Sequence, residues 1–331
     1  MGKISNNHDF GLAMAVWLAH DEYDNGSTDH PGKNVISATS LLKPTRQIVL
    51  SARLTPSQKT PDVADVIASS LGTAIHDSIE HAWITGYKKA LARLGYPDKA
   101  IAKIKINPDP ATVMEDDIPI YLEQRKFRSI FIDNHEIIIS GKFDQIIDGE
   151  INDTKTTSVY TFLKGSSNDK FAKQGSIYRW LDPKIVTSDI MRIQHFFTDW
   201  KRADSKINPD YPKHKIAEKK LQLLGLSEIE RFIETKLREI IRNQDLPEED
   251  LVRCTNEELW ISDPVWKYYS DPAKAAAGGR ATKNFDSAAA AYSYRSSKSK
   301  GVVVPIAGQV KACGYCPAFE ICTQKDEYEH G

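Results

Sequence analysis

The chain has 331 residues, of which 40% are hydrophobic and 27% are charged, and its formal net charge is −1. This composition is that of a globular protein with a core, and the balanced charge excludes a global positive field that would draw the chain to nucleic acid or anionic membranes. No apolar run approaches the roughly 20 residues that a membrane-spanning helix needs, and the N-terminus lacks the apolar segment of a signal peptide. We therefore expect a cytoplasmic protein that does not bind membranes.

Hydrophobic periodicity and turn signals divide the chain into helices and strands. In chain order, the predicted elements are a helix at residues 9–20 with Asp9 as its N-cap, a long helix at 62–93, strands at 124–132, 135–146 and 150–157, a helix at about 159–181, a strand at 189–199, and a helix that begins at Ser227. A helix, a three-stranded meander, a second helix and a further strand predict a mixed α/β core. Residues 256–331 are predicted to be less regular.

A predicted hairpin places two carboxylates opposite each other. Asp148 and Gly149 form an Asp-Gly pair between two β-prone runs, which indicates a two-residue turn. With these residues as the loop, Asp144 lies opposite Asp153, and Lys155 points to the same face of the sheet. Like charges placed opposite each other destabilise a sheet, so we expect a hard divalent cation between the two carboxylates.

Two carboxylates and one lysine on one face can form a site that cleaves phosphodiesters. A magnesium ion held by the carboxylates would polarise the phosphate and acidify a bound water, and the lysine would orient that water or stabilise developing negative charge. From spacing alone, an exposed hairpin with ordinary surface charges is an equally good interpretation. On the helix that follows, Gln174 and Tyr178 share one face and could donate hydrogen bonds to phosphates, although such a pair alone is more often a surface pair.

The order of these residues resembles the RecB-type branch of the PD-(D/E)XK nuclease superfamily, which includes CRISPR-associated adaptation nucleases and many phage exonucleases. The similarity covers about residues 70 to 200, and the matching residues are His76, Glu123, Gly141-Lys-Phe-Asp144, Asp153-Thr-Lys155 and Gln174-x-x-x-Tyr178. It implies a restriction-endonuclease-like core, a mixed central sheet flanked by helices, with a helical N-terminal addition and a cysteine-rich C-terminal addition.

The resemblance also implies a role for each matched residue. The implied metal ligands, for Mg²⁺ or Mn²⁺, are His76, Glu123, Asp144, Asp153 and the carbonyl of Thr154. Glu115 and Asp117 are alternatives to Glu123. The implied catalytic residues are Asp144, Asp153, Lys155, Gln174 and Tyr178. Gln174 and Tyr178 are also expected to contact DNA, and Arg125 and Arg128 flank the core as further phosphate-contact candidates.

Four cysteines form a second candidate site. Cys313, Cys316 and Cys322 lie close in sequence, and Cys254 is the remaining cysteine for a four-thiolate site, which in a reducing compartment favours a metal over disulfides. The same three-cysteine spacing closes a [4Fe–4S] cluster in several RecB-type relatives. Their fourth cysteine precedes the core, whereas Cys254 follows it, so [4Fe–4S] and zinc both stay open, as do unmetallated thiols.

The C-terminal region also mixes basic and aromatic residues. Between residues 266 and 300, seven basic residues lie among five Trp or Tyr residues, which suits a track for single-stranded nucleic acid. A solvated loop is an equally good interpretation.

These observations predict a metal-dependent DNA nuclease that acts in recombination, repair or phage DNA metabolism, in a bacterial or phage-infected cell. Of the possible nucleases, they favour an exonuclease. The predicted partners are DNA and a recombination or single-strand-binding protein. The predicted regions are an N-terminal helical segment at 1–60, the nuclease core at 61–205, a helical extension at 206–255 and the cysteine-cluster region at 256–331. The alternatives are a structure-selective or nicking endonuclease, and a non-catalytic nucleic-acid-binding protein with a four-cysteine metal site.

Overall fold

The structure is a computed structural model that describes residues 4–20, 25–55, 58, 61–298 and 300–328. These residues form mixed and antiparallel sheets flanked by helices, which confirms the predicted mixed α/β class. No helix within the described ranges is both long and apolar enough to cross a bilayer.

The chain divides into two compact units. The first comprises Met1–Leu42 and Pro56–Arg238, and the second comprises Lys43–Thr55 and Glu239–Gly331. The predicted boundaries at residues 60, 205 and 255 are finer than this division and stay predictions. The structure adds that Lys43–Thr55, which was assigned from sequence to the N-terminal segment, belongs to the unit that contains the C-terminal residues.

The first unit contains most of the regular structure. Its helices are α1 Leu12–Ala19, α2 Ala38–Leu41, α4 Ile67–Arg93, α5 Asp98–Ala102, α6 Val159–Lys164, α7 Asn168–Leu181, α8 Asp204–Ile207 and most of α9 Leu226–Asn243. Its strands are β1 Asn34–Ser37, β2 Ile104–Ile106, β3 Ile118–Leu122, β4 Arg125–Ile132, β5 His135–Lys142, β6 Gln145–Ile147, β7 Glu150–Thr157, β8 Ile190–Phe197 and β9 Ile216–Gln222.

A six-stranded mixed sheet is the centre of the first unit. Its strand order is β2-β3-β6-β7-β8-β9, and β7 and β8 run parallel, joined by a crossover that contains α6 and α7. Alternate residues of β8 are buried, because one face of the sheet packs into the core. Helix α7 is buried along much of its length, and Gly175 on this helix approaches Met191 of β8 more closely than a larger residue could.

A second sheet, of order β1-β5-β4, lies in the same unit. The sequence predicts one strand at residues 135–146 within a single meander, and this prediction is wrong. The strand stops at Lys142, and β6 begins three residues later, at Gln145, in the six-stranded sheet. Likewise β3 ends at Leu122 in the large sheet, and β4 begins at Arg125 in the small one. The connections from β3 to β4 and from β5 to β6 therefore both cross between the two sheets.

The predicted hairpin is confirmed, with its register. Ile147 pairs with Glu150, and the Asp148-Gly149 loop has φ angles of 50° and 78°, as a type I′ turn requires. A side chain at Gly149 would collide with Thr187, whose N–H donates to the Gly149 carbonyl. The hairpin turn is thus fixed by its own dihedral angles and by a neighbouring loop.

Three predicted helix starts are wrong. Helix α4 begins at Ile67 instead of residue 62. Helix α1 has Gly11 as its N-cap, because Asp9 adopts a φ of 53° in the left-handed region. In α9, the Gly225 carbonyl accepts the first helical hydrogen bonds, so Ser227 lies inside the first turn. The single helix predicted after β7 is two helices, because Gly165 is left-handed and ends α6.

The second unit contains elements that the sequence patterns did not predict. They are α3 Thr45–Arg53, β10 Val265–Tyr269, α10 Pro272–Ala276, β11 Lys283–Phe285, α11 Ala288–Lys298 and β12 Val302–Ile306. The unit also contains the last residues of α9, a helix that the sequence does predict. The strands form an antiparallel sheet of order β11-β10-β12. Residues 256–331, which the sequence predicts to be less regular, therefore contain regular strands and helices.

Candidate functional site

Two acidic residues lie in the two connections that cross between the sheets. Glu123 stands between β3 and β4 with a φ of 50°, and Asp144 stands between β5 and β6. Their backbones are joined, since the Glu123 N–H donates to the Asp144 carbonyl at 2.9 Å. The Asp144 carboxylate also accepts a hydrogen bond of 2.9 Å from the Thr154 N–H on β7. The sheet-to-sheet bend therefore brings two carboxylates that are distant in sequence to one place.

His76 on α4 completes this group. Its Nδ1 atom is 3.2 Å from Asp144 Oδ2 and 3.9 Å from Glu123 Oε1, while its Nε2 atom is 3.1 Å from the Thr154 carbonyl oxygen. Among the described His, Cys, Asp and Glu residues, this is the one group of three whose ligand atoms all lie within 4.8 Å of one another. The structure thus brings together His76, Glu123, Asp144 and the Thr154 carbonyl.

Asp153 and Lys155 form a buried ion pair on β7. Lys155 Nζ is 2.5 Å from Asp153 Oδ2, and the Asp153 side chain is 1% exposed. Asp153 Oδ1 has no hydrogen-bond partner among the described residues. The pairing of β6 with β7 ends at Gln145 and Asn152, so Asp144 lies outside the ladder instead of directly opposite Asp153. Asp144 therefore does not face Asp153 across the ladder, and Lys155 supplies an opposite charge, but the charge of Asp144 still contributes to a raised pKa of Asp153.

The charges of the site shift the pKa values of its residues. Burial raises the pKa of Asp153 to about 6, although the nearby Lys155 opposes this rise. Burial also works against ionisation of Asp144, but the hydrogen bond from His76 and the charge of Lys155 outweigh it and hold its pKa below the usual value. For Lys155, the charges of Asp153 and Asp144 outweigh burial, so its pKa is raised. Lys155 is therefore a fixed positive charge, which the carboxylates hold in place.

The imidazole of His76 is held between two hydrogen-bond acceptors. Burial lowers the pKa of His76, but the hydrogen bond to Asp144 and the charge of that carboxylate outweigh burial, so the pKa is raised. An imidazolium can donate from both nitrogens, to Asp144 and to the Thr154 carbonyl, whereas a neutral ring can donate from one. In this arrangement a protonated His76 supplies positive charge between the oxygens of the site.

Lys142 is a member of the site that the sequence did not assign. Its Nζ atom is 2.7 Å from Glu123 Oε2. Burial raises the pKa of Glu123, and Lys142 opposes this rise. Lys142 lies within the Gly141-to-Asp144 segment, two residues before Asp144, and this spacing was the available signal.

Gln174 and Tyr178 are close to each other, as the helical spacing predicts. They are 7% and 4% exposed, and the Gln174 amide donates to the Tyr178 hydroxyl at 2.7 Å. The Tyr178 ring also packs edge-to-face with Phe143, which precedes Asp144. In this structure the pair therefore contacts the protein interior, and its contact with substrate stays a prediction.

Gly141 is required by the packing of Tyr178. A Cβ atom at this position would lie 2.6 Å from Leu181 Cδ1 and 2.9 Å from the Tyr178 ring. We expect Gly141→Ala to destabilise the protein by about 1–3 kcal/mol, measured by urea unfolding, because the added methyl overpacks this region. Gly86→Ala is the matched control. It lies in α4 with open space around it, so it should stabilise by about 0.4–1 kcal/mol. Equal effects of the two variants would contradict the packing explanation.

Arg125 and Arg128 both lie on β4, outside the carboxylate group. Arg128 stacks on Trp180 at 4.1 Å from the ring centroid, donates to the Trp180 carbonyl at 2.8 Å and lies 3.7 Å from Glu230. Arg125 pairs with Lys142 across the β4–β5 ladder. Arg128 thus has a packing role here, and the DNA contacts of both residues stay predictions.

The four cysteines all belong to the second unit and form no disulfide. Cys316 and Cys322 pack against a small core of Val49, Leu50, Leu251 and Ala318. The buried Arg46 donates to Cys322 Sγ at 3.3 Å. Burial raises the pKa of Cys254 to about 12, and the charges of Glu258, Cys322 and Cys316 contribute to this rise. These thiols therefore interact electrostatically.

The sulfur atoms are not tightly clustered. No three of the described cysteine sulfurs lie within 4.8 Å of one another. Sulfurs around a tetrahedral zinc, with Zn–S bonds of about 2.3 Å, are separated by about 3.8 Å. The thiols would therefore have to move closer together to bind a single zinc ion.

No protein-family model matches this chain, and no curated protein matches it. The chain is similar to the crystal structure of SSO0001, with 15% sequence identity and a TM-score of 0.41 over 74% of this chain and 95% of that chain. It is also similar to the crystal structure of a phage-related exonuclease from Haemophilus somnus 129PT, with 13% identity and a TM-score of 0.26 over 65% of this chain and 98% of that chain. Both TM-scores are below 0.5, so neither similarity carries an argument about activity.

Proposed function

We propose that this protein is a metal-dependent DNA nuclease of the RecB-type PD-(D/E)XK kind, and that it acts as an exonuclease. The observation that carries the proposal is the convergence of His76, Glu123 and Asp144 at the bend between two sheets, beside the buried Asp153–Lys155 pair. Two carboxylates and one imidazole in one group, with a third carboxylate and a lysine on β7, are the residue types that metal-assisted phosphodiester hydrolysis uses.

The donor set fits Mg²⁺ or Mn²⁺. Hard divalent cations prefer carboxylate and carbonyl oxygens, and Mn²⁺ also accepts imidazole. Asp153 Oδ1 is a buried carboxylate oxygen without a hydrogen-bond partner in the described structure, as is expected of an oxygen that binds a cation. The proposed ligands are His76, Glu123, Asp144, Asp153 and the Thr154 carbonyl. When bound, the metal would polarise the scissile phosphate and lower the pKa of a bound water.

The residues around this centre have proposed roles of their own. Lys155, held by Asp153, would orient the attacking water and stabilise charge that develops on the phosphate. Lys142 would neutralise Glu123 while no metal is bound. Gln174 and Tyr178 would position the segment that carries Asp144 and contact the substrate, and Arg125 and Arg128 are the proposed phosphate contacts.

Cleavage of end-labelled linear DNA with Mg²⁺ or Mn²⁺ tests the proposed activity. A stepwise loss of terminal nucleotides is expected, and no metal-dependent cleavage of single-stranded or duplex DNA would contradict the proposal. Recombination, repair or phage DNA metabolism is the proposed context, with a recombination or single-strand-binding protein as the proposed partner.

A closed circular substrate distinguishes the proposed exonuclease from a structure-selective or nicking endonuclease with the same site. We expect the wild-type protein with Mg²⁺ to degrade linear DNA and to leave closed circles of the same sequence intact, because an exonuclease needs an end. Gel electrophoresis of both substrates over one time course is the measurement. Conversion of circles to nicked or linear forms at the rate of linear degradation would favour the endonuclease.

A non-catalytic nucleic-acid-binding protein with a four-cysteine metal site is the alternative from another class. It predicts DNA binding that is unchanged in Asp144→Ala, together with no metal-dependent cleavage by the wild-type protein. The proposed nuclease predicts cleavage that this substitution abolishes.

For the four cysteines we propose a [4Fe–4S] cluster, with zinc as the alternative. The proposed ligands are Cys254, Cys313, Cys316 and Cys322. No three of the described sulfurs lie within 4.8 Å of one another, which fits a group larger than a single ion. The Arg46 guanidinium, which also pairs with Glu248, would donate a hydrogen bond to the Cys322 thiolate. Absorbance near 400 nm in anaerobically purified protein, with iron and zinc content, decides between them. Colourless protein with one zinc per chain would contradict the cluster.

The raised pKa of His76 predicts that metal binding releases a proton. A ligating imidazole must be neutral, so Mn²⁺ and H⁺ compete for His76. Because the folded-state pKa lies above 6.5, the protonated residue stabilises the metal-free protein below pH 6.5, and this stabilisation is lost as the pH rises through the folded pKa. We expect Mn²⁺ affinity, measured by calorimetry between about pH 6.5 and 8.5, to increase with pH. His76→Asn should flatten this dependence, and an unchanged slope would contradict the competition.

A further inference from the structure

A small module in the second unit has its own core. It comprises β10, β11, β12 and α11, within residues 265–306, and we call it the basic module. Tyr268, Ala291 and Val303 are buried at its centre. The Tyr268 and Tyr294 rings pack edge-to-face with their centroids 5.1 Å apart. Some of the aromatic residues that are scattered along this part of the sequence, Tyr268 and Tyr294, thus hold the sheet and the helix together.

The charge of the basic module is strongly one-sided. Residues 265–306 contain seven basic and two acidic residues, in a chain whose net charge is −1. The basic residues are Lys267, Lys274, Arg280, Lys283, Arg295, Lys298 and Lys300. None of them forms an ion pair with a carboxylate in the described part of the chain. One acid, Asp271, is occupied in capping α10 through the Ala273 N–H. Within the described part of the chain, these positive charges are therefore not neutralised by ion pairs.

Two of these lysines are positioned by one aromatic ring. The ammonium groups of Lys283 and Lys298 lie 4.7 Å and 5.3 Å from the centroid of Tyr294. Both lysines are exposed. Cation–π contacts hold ammonium groups on a surface without neutralising them, so both charges stay available to an anionic partner. Arg295 is also restrained, because its Nε donates to the Gly301 carbonyl at 3.1 Å.

An exposed aromatic ring lies on the same helix. Tyr292 is 47% exposed, and Arg295 is three residues further along α11, so the two side chains lie on neighbouring positions of one helix face. An exposed planar ring beside the restrained guanidinium of Arg295 suits a partner that carries both phosphates and flat bases. Acidic peptides offer the negative charge but not the bases, and in duplex DNA the base faces are not accessible.

We propose that the basic module is a binding surface for single-stranded nucleic acid. The cations around Tyr294 would contact phosphates, and Tyr292 would stack on a base. This goes beyond the proposed nuclease activity and does not rest on it, because the module contains none of the residues proposed for metal binding or cleavage.

Binding can be measured without cleavage. The full chain in EDTA is titrated against a fluorescein-labelled oligothymidylate of about 20 nucleotides, with anisotropy as the readout, over a range of salt concentrations. For Lys283→Gln/Lys298→Gln we expect weaker binding, and the slope of log K against log salt should fall by about 1.4, since each phosphate contact on a single strand contributes about 0.7. Arg280→Gln/Lys300→Gln removes two exposed charges that contact no aromatic ring in the described part of the chain. This variant should also weaken binding, and it tests the effect of charge if the first variant proves to be less stable.

Two further variants test the aromatic contribution and the location. Tyr292→Ala should weaken binding by about 5- to 150-fold, because stacking contributes about 1–3 kcal/mol per base, and Tyr292→Phe should retain it. Lys88→Gln/Lys89→Gln is the control, since this exposed pair lies on α4 twelve residues beyond His76, at about 18 Å along the helix. It should bind like the wild type.

Three outcomes would overturn the proposal. One is unchanged affinity and salt slope in both charge-removing variants. Another is equal binding by Tyr292→Ala and wild type, which would leave only non-specific attraction. The third is competition by a polyglutamate peptide as strong as competition by unlabelled oligothymidylate, which would point to an acidic protein partner. Because no divalent metal is present, each outcome is independent of whether the protein cleaves DNA.

Discussion

Lys155→Met is expected to lower the rate of Mg²⁺-dependent DNA cleavage by about 10²- to 10⁴-fold. The ammonium group contacts Asp153 Oδ2, and the charges of Asp153 and Asp144 outweigh burial and raise its pKa, so it is positively charged at neutral pH. Methionine keeps much of the side-chain volume and removes that charge. Single-turnover cleavage of end-labelled DNA, with protein in excess, measures the chemical step.

Stability must be measured beside activity, because the substitution also leaves Asp153 without its cation. Breaking a buried ion pair commonly costs about 3–5 kcal/mol, so Lys155→Met should be less stable than wild type in EDTA, and Mn²⁺ should recover part of the loss. Lys103→Met is the control, since Lys103 pairs with Asp116 at 3.4 Å on the surface and should retain both stability and activity. Cleavage by a folded Lys155→Met protein at the wild-type rate would exclude the lysine from the mechanism.

The local part of the site could be predicted from the sequence, because it depends on short-range rules. The Asp148-Gly149 turn determines the hairpin register, and period-two alternation places Asp153 and Lys155 on one face. The i, i+4 spacing of Gln174 and Tyr178 likewise predicts their contact. Each of these inferences spans only a few residues, so no knowledge of the tertiary structure is needed.

The bend at Asp144 could not be predicted, because it results from the pairing of distant strands. Asp144 is a poor strand former, but one such residue indicates only a weak point in a strand and does not show that the chain leaves one sheet and enters another. The left-handed conformation of Glu123 depends on the same bend. For the second unit, the short strands β10, β11 and β12 pair across long sequence separations, which period-based patterns detect poorly.

Asp144→Asn is expected to abolish detectable cleavage and to remove most of the stabilisation by Mn²⁺. The amide oxygen can still accept the hydrogen bond from the Thr154 N–H, so the bend should keep its geometry. What is lost is the negative charge that both His76 and a metal ion would share. For wild type, Mn²⁺ at 100 times its Kd should raise the free energy of unfolding by about 2.7 kcal/mol, because the ion binds only the folded state.

Asp117→Asn is the matched control for this experiment. Asp117 is also a poorly exposed carboxylate of the first unit, 3.6 Å from Lys105, and it accepts the Met114 N–H at 3.0 Å. It was an alternative to Glu123 in the sequence, and the structure places Glu123 with His76 and Asp144 instead. Denaturant unfolding with and without Mn²⁺ should show wild-type stabilisation for Asp117→Asn and little for Asp144→Asn. The reverse result would place the metal near Asp117 and would refute the centre proposed at the bend.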